Sequence, residues 1–343
     1  MNTMRLEAFD YFLPPGLIAQ EPLPERDCSR LMIVRRKEGT ISHSTFRELP
    51  SLLPAGSLLV MNSSKVIPAR LMCRKQSGGK VEVLLTRRLT DTRWEGLLRP
   101  SRRVPAGTRL EVPGHALAIT VVARCPGGSS TVELHYEGDF WELLSKCGRT
   151  PLPPYIKKNL EDDRRYQTIY AREKGSVAAP TAGLHFTEAL FEKLGRGGFR
   201  KAFITLHIGP GTFRMVKTDE IEKHRMEEEY YSIPAETADA IREARCEGRT
   251  VVAVGTTTVR ALESAYDSGA ILRRPEGPSS LFIYPGFRFS IVEALITNFH
   301  LPRSTLIMLT SAFAGRDLLM EAYQEAIREQ YRVYSLGDAM LIL

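Results

Sequence analysis

The sequence contains no Cys-x-x-Cys pair, and its five cysteines, Cys28, Cys73, Cys125, Cys147 and Cys246, lie far apart. That pattern argues against a zinc ribbon, a dithiol redox motif and a disulfide framework, and leaves reduced cytosolic thiols as the expectation. Long hydrophobic runs are also missing. The longest nearly uncharged apolar stretch covers only 306–314, far below the roughly 20 residues that span a bilayer, and no charged leader precedes an apolar block at the N-terminus. A cytoplasmic protein, neither exported nor membrane-spanning, is expected. No His-Glu-x-x-His, Gly-x-Ser-x-Gly or Gly-x-Gly-x-x-Gly occurs, which disfavours a zinc-hydrolase site, covalent serine catalysis and a dinucleotide cofactor.

A chain of 343 residues has room for about two domains, or one domain carrying a large insertion. Apolar residues at 43% and charged residues at 25% are ordinary globular values that exclude disorder, collagen-like repeats and coiled coil. The net charge of +7 is unevenly placed: residues 70–150 hold 14 Lys and Arg against 8 Asp and Glu, a net of +6, leaving the rest at +1. Such a basic segment either meets a phosphate-rich partner, displacing its counterions, or is a solvated surface.

The same segment has apolarity of period two. Alternating runs at 81–85, 94–98, 110–112, 118–122 and 131–134 are separated by Ser77-Gly78-Gly79, Pro105-Ala106-Gly107, Pro113-Gly114 and Pro126-Gly127-Gly128. Alternation with a turn about every 10 to 15 residues is the mark of a small antiparallel sheet or barrel. Residues 70–149 therefore read as a small basic β-barrel inserted in a larger mixed α/β domain made of 1–69 and 150–343. Pro151-Leu152-Pro153-Pro154 closes the insert, because that run continues neither a helix nor a central strand.

Downstream, strand and helix alternate. The pattern predicts a strand over 202–208, an amphipathic helix over 233–246 opened by Pro234, and a strand over 250–254 that runs into Gly255-Thr256-Thr257-Thr258. A helix carrying Val259, Leu262 and Ala265 follows, with a stop at Ser268-Gly269. A buried strand over 291–299 and a last amphipathic helix over 317–331 complete the chain. The N-terminal strands, 31–34 and 57–61, have no complete core of their own and are expected to pair with the C-terminal part.

Five segments, 62–70, 178–186, 205–213, 255–260 and 297–302, collect polar residues that a plain core would not choose. In the Gly255 turn, Thr256, Thr257 and Thr258 with free backbone N–H groups either cap a structural helix or hold a carboxylate or phosphate, and Arg260 adds a charge suited to an anion. Gly209 and Gly211 mark a tight turn where a ligand can approach the backbone. His185, His207 and His300 stand at expected strand ends, each either a hydrogen-bonded structural residue or an acid–base group titrating near neutrality. No i, i+4 pair occurs among them and no cysteine lies nearby, so no metal site is expected. The run Glu227-Glu228-Glu229 after His224 is either solvated or holds a cation or a base. Arg99, Arg102 and Arg103 form a compact basic turn on the barrel. Arg164 and Arg165 precede Tyr166 and Tyr170, a mix of cations and aromatics suited to phosphates and a stacked base, or to surface packing.

Taken in order the motifs are more specific than any one alone. They include Leu17-Ile18-Ala19-Gln20-Glu21-Pro22 with Arg26-Asp27 and Ser29-Arg30, Lys65-Val66-Ile67-Pro68-Ala69-Arg70, Pro151-Leu152-Pro153-Pro154-Tyr155-Ile156 and Tyr166-Gln167-Thr168-Ile169-Tyr170. The segments 178–186, 205–213, 254–260 and 297–301 follow, with Gly337-Asp338-Ala339-Met340 near the end. Together they closely resemble the S-adenosylmethionine:tRNA ribosyltransferase-isomerase family of queuosine biosynthesis, over essentially the whole chain. One departure is Asn62-Ser63-Ser64-Lys65, where the family usually has an Asp or Asn and a Thr before a basic residue; it leaves the roles of Ser63 and Ser64 open.

The resemblance implies transfer of the ribosyl portion of S-adenosylmethionine onto the 7-aminomethyl group of a 7-deazaguanine in the tRNA anticodon. Epoxyqueuosine would form, with adenine and methionine released. A larger α/β domain carrying a small β-barrel is implied as well, and no metal or further cofactor, S-adenosylmethionine being a co-substrate. In this chemistry the sulfonium acidifies its neighbouring 5′ carbon, adenine leaves more easily when protonated, and the attacking amine must be neutral. We assign the proton transfers to His185 and His207. Substrate contacts are assigned to Thr181, Gly209, Gly211, Thr256, Thr257, Thr258, Arg260, Asn298 and His300, with the methionine carboxylate at Thr256, Thr257, Thr258 and Arg260. Arg99, Arg102, Arg103, Arg164 and Arg165 are assigned to tRNA, and a monomer is expected. The competing reading, a non-catalytic tRNA-binding protein with a basic barrel on an α/β scaffold, leaves the Gly/Thr/His clusters at strand ends unexplained.

Overall fold

The computed structural model describes residues 4–158, 160–213, 215–266 and 275–343, without the side chains of Pro126, Thr212 and Phe213. In chain order the strands are β1 (Arg30–Arg35), β2 (Thr40–Thr45), β3 (Leu58–Asn62), β4 (Ser64–Val66), β5 (Arg70–Lys75), β6 (Lys80–Arg88), β7 (Arg93–Arg99), β8 (Arg109–Glu111) and β9 (Leu117–Arg124). They continue as β10 (Ser130–Tyr136), β11 (Glu173–Ser176), β12 (Arg200–Leu206), β13 (Glu229–Ser232), β14 (Val251–Val254), β15 (Glu276–Ser279), β16 (Ala294–Asn298) and β17 (Ala339–Ile342). The α-helices are α1 (Leu49–Leu52), α2 (Phe140–Cys147), α3 (Glu188–Arg196), α4 (Ala235–Cys246), α5 (Thr256–Ala265), α6 (Thr305–Ala314) and α7 (Arg316–Arg328). The chain divides into two units, one of Met1–Ser64, Pro153–Glu173 and Ala179–Leu343, the other of Lys65–Leu152 and Lys174–Ala178. None of the helices among the described residues is long and apolar enough to cross a membrane.

The larger unit is a mixed α/β layer structure around a nine-stranded sheet, in the order β15-β13-β12-β3-β14-β16-β17-β1-β2. Strands β12, β3, β14 and β16 are parallel. Strand β17 runs back along β16 and lies parallel to β1, so the N-terminal strands do pair with the C-terminal part. Every residue of β3, β14, β16 and β17 is buried, which is why these strands read as continuous apolar runs rather than alternating ones. Their side chains Leu59, Met61, Val254 and Ile296 share a core with Phe186 and Phe191.

Three expected elements shift, each for a hydrogen-bonding reason. The strand expected over 202–208 ends at Leu206, whose N–H and C=O are taken by the side chain of Asn62. Strand β16 starts at Ala294 rather than 291, because the N–H groups of Ile291 and Val292 go to the Glu263 carboxylate, 3.0 Å each. Helix α4 begins after Pro234, which takes the N-cap position. The apolar stretch 306–314 is helix α6, capped by Ser304 and stopped at Gly315 with φ 87°. It is buried on most of its circumference, so no amphipathic period announced it. The expected stop at Ser268-Gly269 lies outside the described residues.

The smaller unit is a closed antiparallel barrel in the order β10-β7-β6-β5-β8-β9. Burial alternates along β6 and β7, placing Val81, Val83, Leu85, Trp94 and Leu98 inside, and closure removes the unpaired edges of an open sheet. Helix α2 follows the last strand; Asp139 caps it by accepting from the Glu142 N–H at 2.7 Å, and Phe140 packs at 5.6 Å from Trp94. Trp94 is 1% exposed. Trp94→Ala should cost about 3–5 kcal/mol, read as a lowered midpoint of urea unfolding; an unchanged midpoint would deny Trp94 its place at the centre of the barrel.

Candidate active site

The four parallel strands point their carboxyl ends at one edge of the sheet, and β17 and β1 begin at that edge, with Asn298 and Leu31 both facing Ala339 in the ladders. In open α/β sheets that edge is where ligands sit. A cleft lies there. Thr181, Thr256, Thr257, Asn298 and His300 line it together, beside Tyr155, Tyr334 and Ile208. Five of the expected substrate contacts thus meet, from three separate stretches of chain.

Gly255 makes the turn from β14 into α5 at φ 92°, in the left-handed region that favours glycine. The first turn of α5, with Thr256 and Thr257, then opens on the cleft, where helix N–H groups have no partner within the helix. Beneath it lies the buried side chain of Asn62. Its Oδ1 accepts from the N–H groups of Ser64 and Leu206 at 3.0 and 3.1 Å, and its Nδ2 donates to the Leu206 carbonyl at 2.9 Å and to Thr257 Oγ1 at 3.3 Å.

His185 is buried, its ring stacked 4.9 Å from Phe46. Nδ1 lies 2.7 Å from Ser29 Oγ and Nε2 3.2 Å from Asn298 Nδ2, while Thr181 Oγ1 donates to Asn298 Oδ1 at 2.8 Å. The Ser29 hydroxyl donates to the Arg26 carbonyl at 3.2 Å. His300 places Nε2 2.8 Å from Thr297 Oγ1, and its backbone binds the hydroxyls of Tyr323 and Tyr11. Burial pushes the His185 imidazolium down to about 4, against a hydrogen bond to the Arg26 backbone and with the charges of Arg26 and Arg332, and burial pushes His300 down to about 3. Both rings are neutral at pH 7, so of the two readings open for each, the hydrogen-bonded structural residue holds and the acid–base group titrating near neutrality does not.

Other expected residues lie elsewhere. Thr258 Oγ1 donates to the Val254 carbonyl at 2.8 Å inside the helix turn. Arg260 is 3% exposed and paired with Glu229, and its guanidinium also meets the carbonyls of Leu281 and Ser279. Its charge is neutralised within the fold, which corrects its assignment to a substrate carboxylate. Glu229 accepts from the Gly209 N–H at 2.9 Å, so Gly209 and one member of the acidic run belong to this ion pair. Gly211 lines a separate hollow with Met215, His224 and Glu227. His207 is half-buried and absent from the cleft wall, one residue before Ile208. Its Nδ1 is buried without a partner among the described residues. Burial lowers its pKa, and Glu173 acts in the opposite direction.

Arg164 is exposed and held 2.9 Å from Asp162, and Arg165 donates to the carbonyls of Pro24 and Leu23 and lines a small hollow with Arg26 and His185. Arg99, Arg102 and Arg103 are exposed on the barrel. Among the described residues one group, Glu25, Asp27 and Cys28, brings metal-ligand atoms within 4.8 Å of one another. The Arg47 guanidinium already stands there, 2.9 Å from Glu25 and 3.5 Å from Asp27.

A sequence profile of the family described as "Queuosine biosynthesis protein" matches residues 6–342. The chain belongs to this family. It is 52% identical over 345 residues to the S-adenosylmethionine:tRNA ribosyltransferase-isomerase of Thermotoga maritima, covering 99% of this chain and 100% of that protein. A protein of the same name from Carboxydothermus hydrogenoformans is 51% identical over 340 residues, with the same coverage. A crystal structure of S-adenosylmethionine tRNA ribosyltransferase from Thermotoga maritima at 2.00 Å resolution is similar with a TM-score of 0.55 and 41% identity, covering 98% of this chain and 100% of that one.

Several residues of the family motifs have structural reasons in this chain. A Cβ on Gly183 would stand 1.9 Å from the Tyr170 hydroxyl. The Asp338 carboxylate, raised in pKa by burial, accepts from the N–H groups of Arg30 and Arg332 at 3.0 and 2.8 Å. Sequence reasoning placed Asn62 in a polar segment and Ser29 in a motif but gave neither a role in the site. Their signal was present: Asn62 ends an otherwise apolar Leu-Leu-Val-Met run, and Ser29 lies in the motif that holds Arg26.

Because His185 and His300 are held neutral in the fold yet ionise near 6.5 when unfolded, the unfolded state binds more protons. Stability should therefore fall as pH drops from about 6.5 toward the folded value of about 4 for His185. Between pH 7 and 5 the loss is on the order of 2 kcal/mol per histidine. Urea unfolding at the two pH values measures it, and His185→Asn should flatten the slope; equal slopes in mutant and wild type would refute the assignment.

Proposed function

We propose that the chain is an S-adenosylmethionine:tRNA ribosyltransferase-isomerase, the name its relatives bear. It would move and rearrange the ribosyl portion of S-adenosylmethionine onto the 7-aminomethyl-7-deazaguanine of a tRNA anticodon, giving epoxyqueuosine and releasing adenine and methionine. Identity of about one half over the full length of those relatives carries this reading. The reaction is read as that of a cytoplasmic monomer without a metal or further cofactor.

The cleft supports it on chemical grounds. A methionine carboxylate suits the N-terminus of α5, where unpaired N–H groups and the helix dipole favour negative charge. The rings of Tyr155 and Tyr334, 4.9 Å apart on the cleft wall, suit the sulfonium, since aromatic faces attract cations. Loss of a proton from the 5′ carbon needs a base; His185 has both ring nitrogens engaged, and the role is kept for His207, whose Nδ1 has no partner among the described residues and which stands outside the cleft wall, next to Ile208 that lines it. Thr181, Asn298 and His300 orient substrate in this scheme. The exposed Arg99, Arg102 and Arg103 of the barrel, with Arg164 and Arg165, would meet the RNA backbone, whose phosphates reward each positive contact.

Ribose-labelled S-adenosylmethionine incubated with the protein and tRNA bearing the 7-aminomethyl base should place label in RNA with matching adenine release, and none with unmodified tRNA. Binding of tRNA without label transfer would favour a non-catalytic binding module instead. His207→Ala should lower turnover about 100-fold or more while S-adenosylmethionine still binds; near wild-type turnover would remove His207 from the chemistry.

A further inference from the structure

We propose that the cleft is built to read an α-amino acid group, with Thr257 donating a hydrogen bond to its carboxylate and Thr181 accepting one from its ammonium. The inference rests on the reading of S-adenosylmethionine as co-substrate and names its methionine moiety as the part held here. It follows from the directions of two hydrogen-bond chains, each passing through a buried asparagine.

The first chain starts at the Arg26 carbonyl, which can only accept. The Ser29 hydroxyl has that acceptor 3.2 Å away; with its proton placed there it accepts from His185 Nδ1 at 2.7 Å, which then carries the ring proton. Nε2 is then a lone pair and takes a proton from Asn298 Nδ2, which also faces the Asp338 carbonyl at 3.4 Å. Asn298 Oδ1 is thereby turned to Thr181, whose hydroxyl must donate. Thr181 is left with lone pairs and no proton for the cleft that it lines: toward a ligand it is an acceptor.

The second chain has the opposite sense. Two backbone N–H groups, of Ser64 and Leu206, fix Asn62 Oδ1 as acceptor, so Nδ2 points at Thr257 Oγ1. The Thr257 oxygen accepts, and its proton remains for the cleft. The two threonines line the same cleft, and Ala182, the residue after Thr181, has its Cβ 3.7 Å from the point where a Cβ on Gly255 would stand, as does Thr257 Oγ1. A donor and an acceptor on the wall of one cleft, at the start of a helix, match the carboxylate and the ammonium of an α-amino acid group. His185 is then a positioning residue, acting on the ligand through Asn298 and Thr181.

The test is calorimetric binding of S-adenosylmethionine, of its analogue lacking the α-ammonium and of its analogue lacking the carboxylate, to wild type and variants. Thr181→Val should weaken S-adenosylmethionine roughly tenfold or more, the loss of a bond to a charged group, and leave the deaminated analogue within about twofold. Thr257→Val should show the mirror pattern with the decarboxylated analogue, and Thr181→Ser and Thr257→Ser should keep wild-type affinity. His185→Phe should weaken S-adenosylmethionine but add little to Thr181→Val in the double variant, as residues acting through one contact do. Equal losses for all three compounds, or no loss, would overturn the inference while leaving the reaction in place. Failure of wild type to bind any of them would overturn the co-substrate reading as well.

Discussion

Asn62 ends a strand that is otherwise wholly apolar, and its amide is cut off from water. A buried amide has to find partners for its carbonyl and its N–H groups within the fold, at a cost of several kcal/mol if it fails. Asn62 finds four, spread over Ser64, Leu206 and Thr257. That requirement ends the ladder of β12, bends the chain after β3 and aims a hydroxyl from α5, so the shape of the cleft floor is a consequence of satisfying one side chain.

The same logic governs the charges. Arg260 and Glu229 are both nearly excluded from solvent and answer each other; removing either would leave the other uncompensated. The histidines take the alternative course. Cut off from water, and with the charges of Arg26 and Arg332 near His185, they hold no proton at neutral pH and serve as fixed donors and acceptors. Where burial is complete, the ring works by its geometry rather than by its titration.

How much of this was legible depends on how local each cause is. The barrel announced itself, because alternating Val, Leu and Trp with Gly/Pro turns requires only neighbouring strands. The Gly255 turn and the polar strand ends at Thr297 and Asn298 were visible for the same reason. Element limits set by distant side chains were not: nothing near Leu206 or Ile291 in sequence says that Asn62 or Glu263 will take their backbone groups. Arg260 looked like a cation free for an anion because its partner lies on another strand, and Ser29 had no assigned partner because His185 arrives from far along the chain. Long-range pairing of polar groups is the information that a periodic pattern does not contain.

The insertion of the barrel has a consequence for the order in which the protein is made. Strand β3 pairs with β12 on one side and β14 on the other, and all six barrel strands lie between β3 and either partner in the chain. During synthesis the middle of the large sheet therefore waits, with Leu58, Leu59 and Val60 uncovered, while the barrel, whose pairings are local, has every strand it needs. Local contacts form faster than distant ones, and domains fold as units from the N-terminus as they emerge. The guest thus has all its strands before its host, and β3, which precedes it, must wait with its apolar side chains uncovered until β12 and β14 arrive.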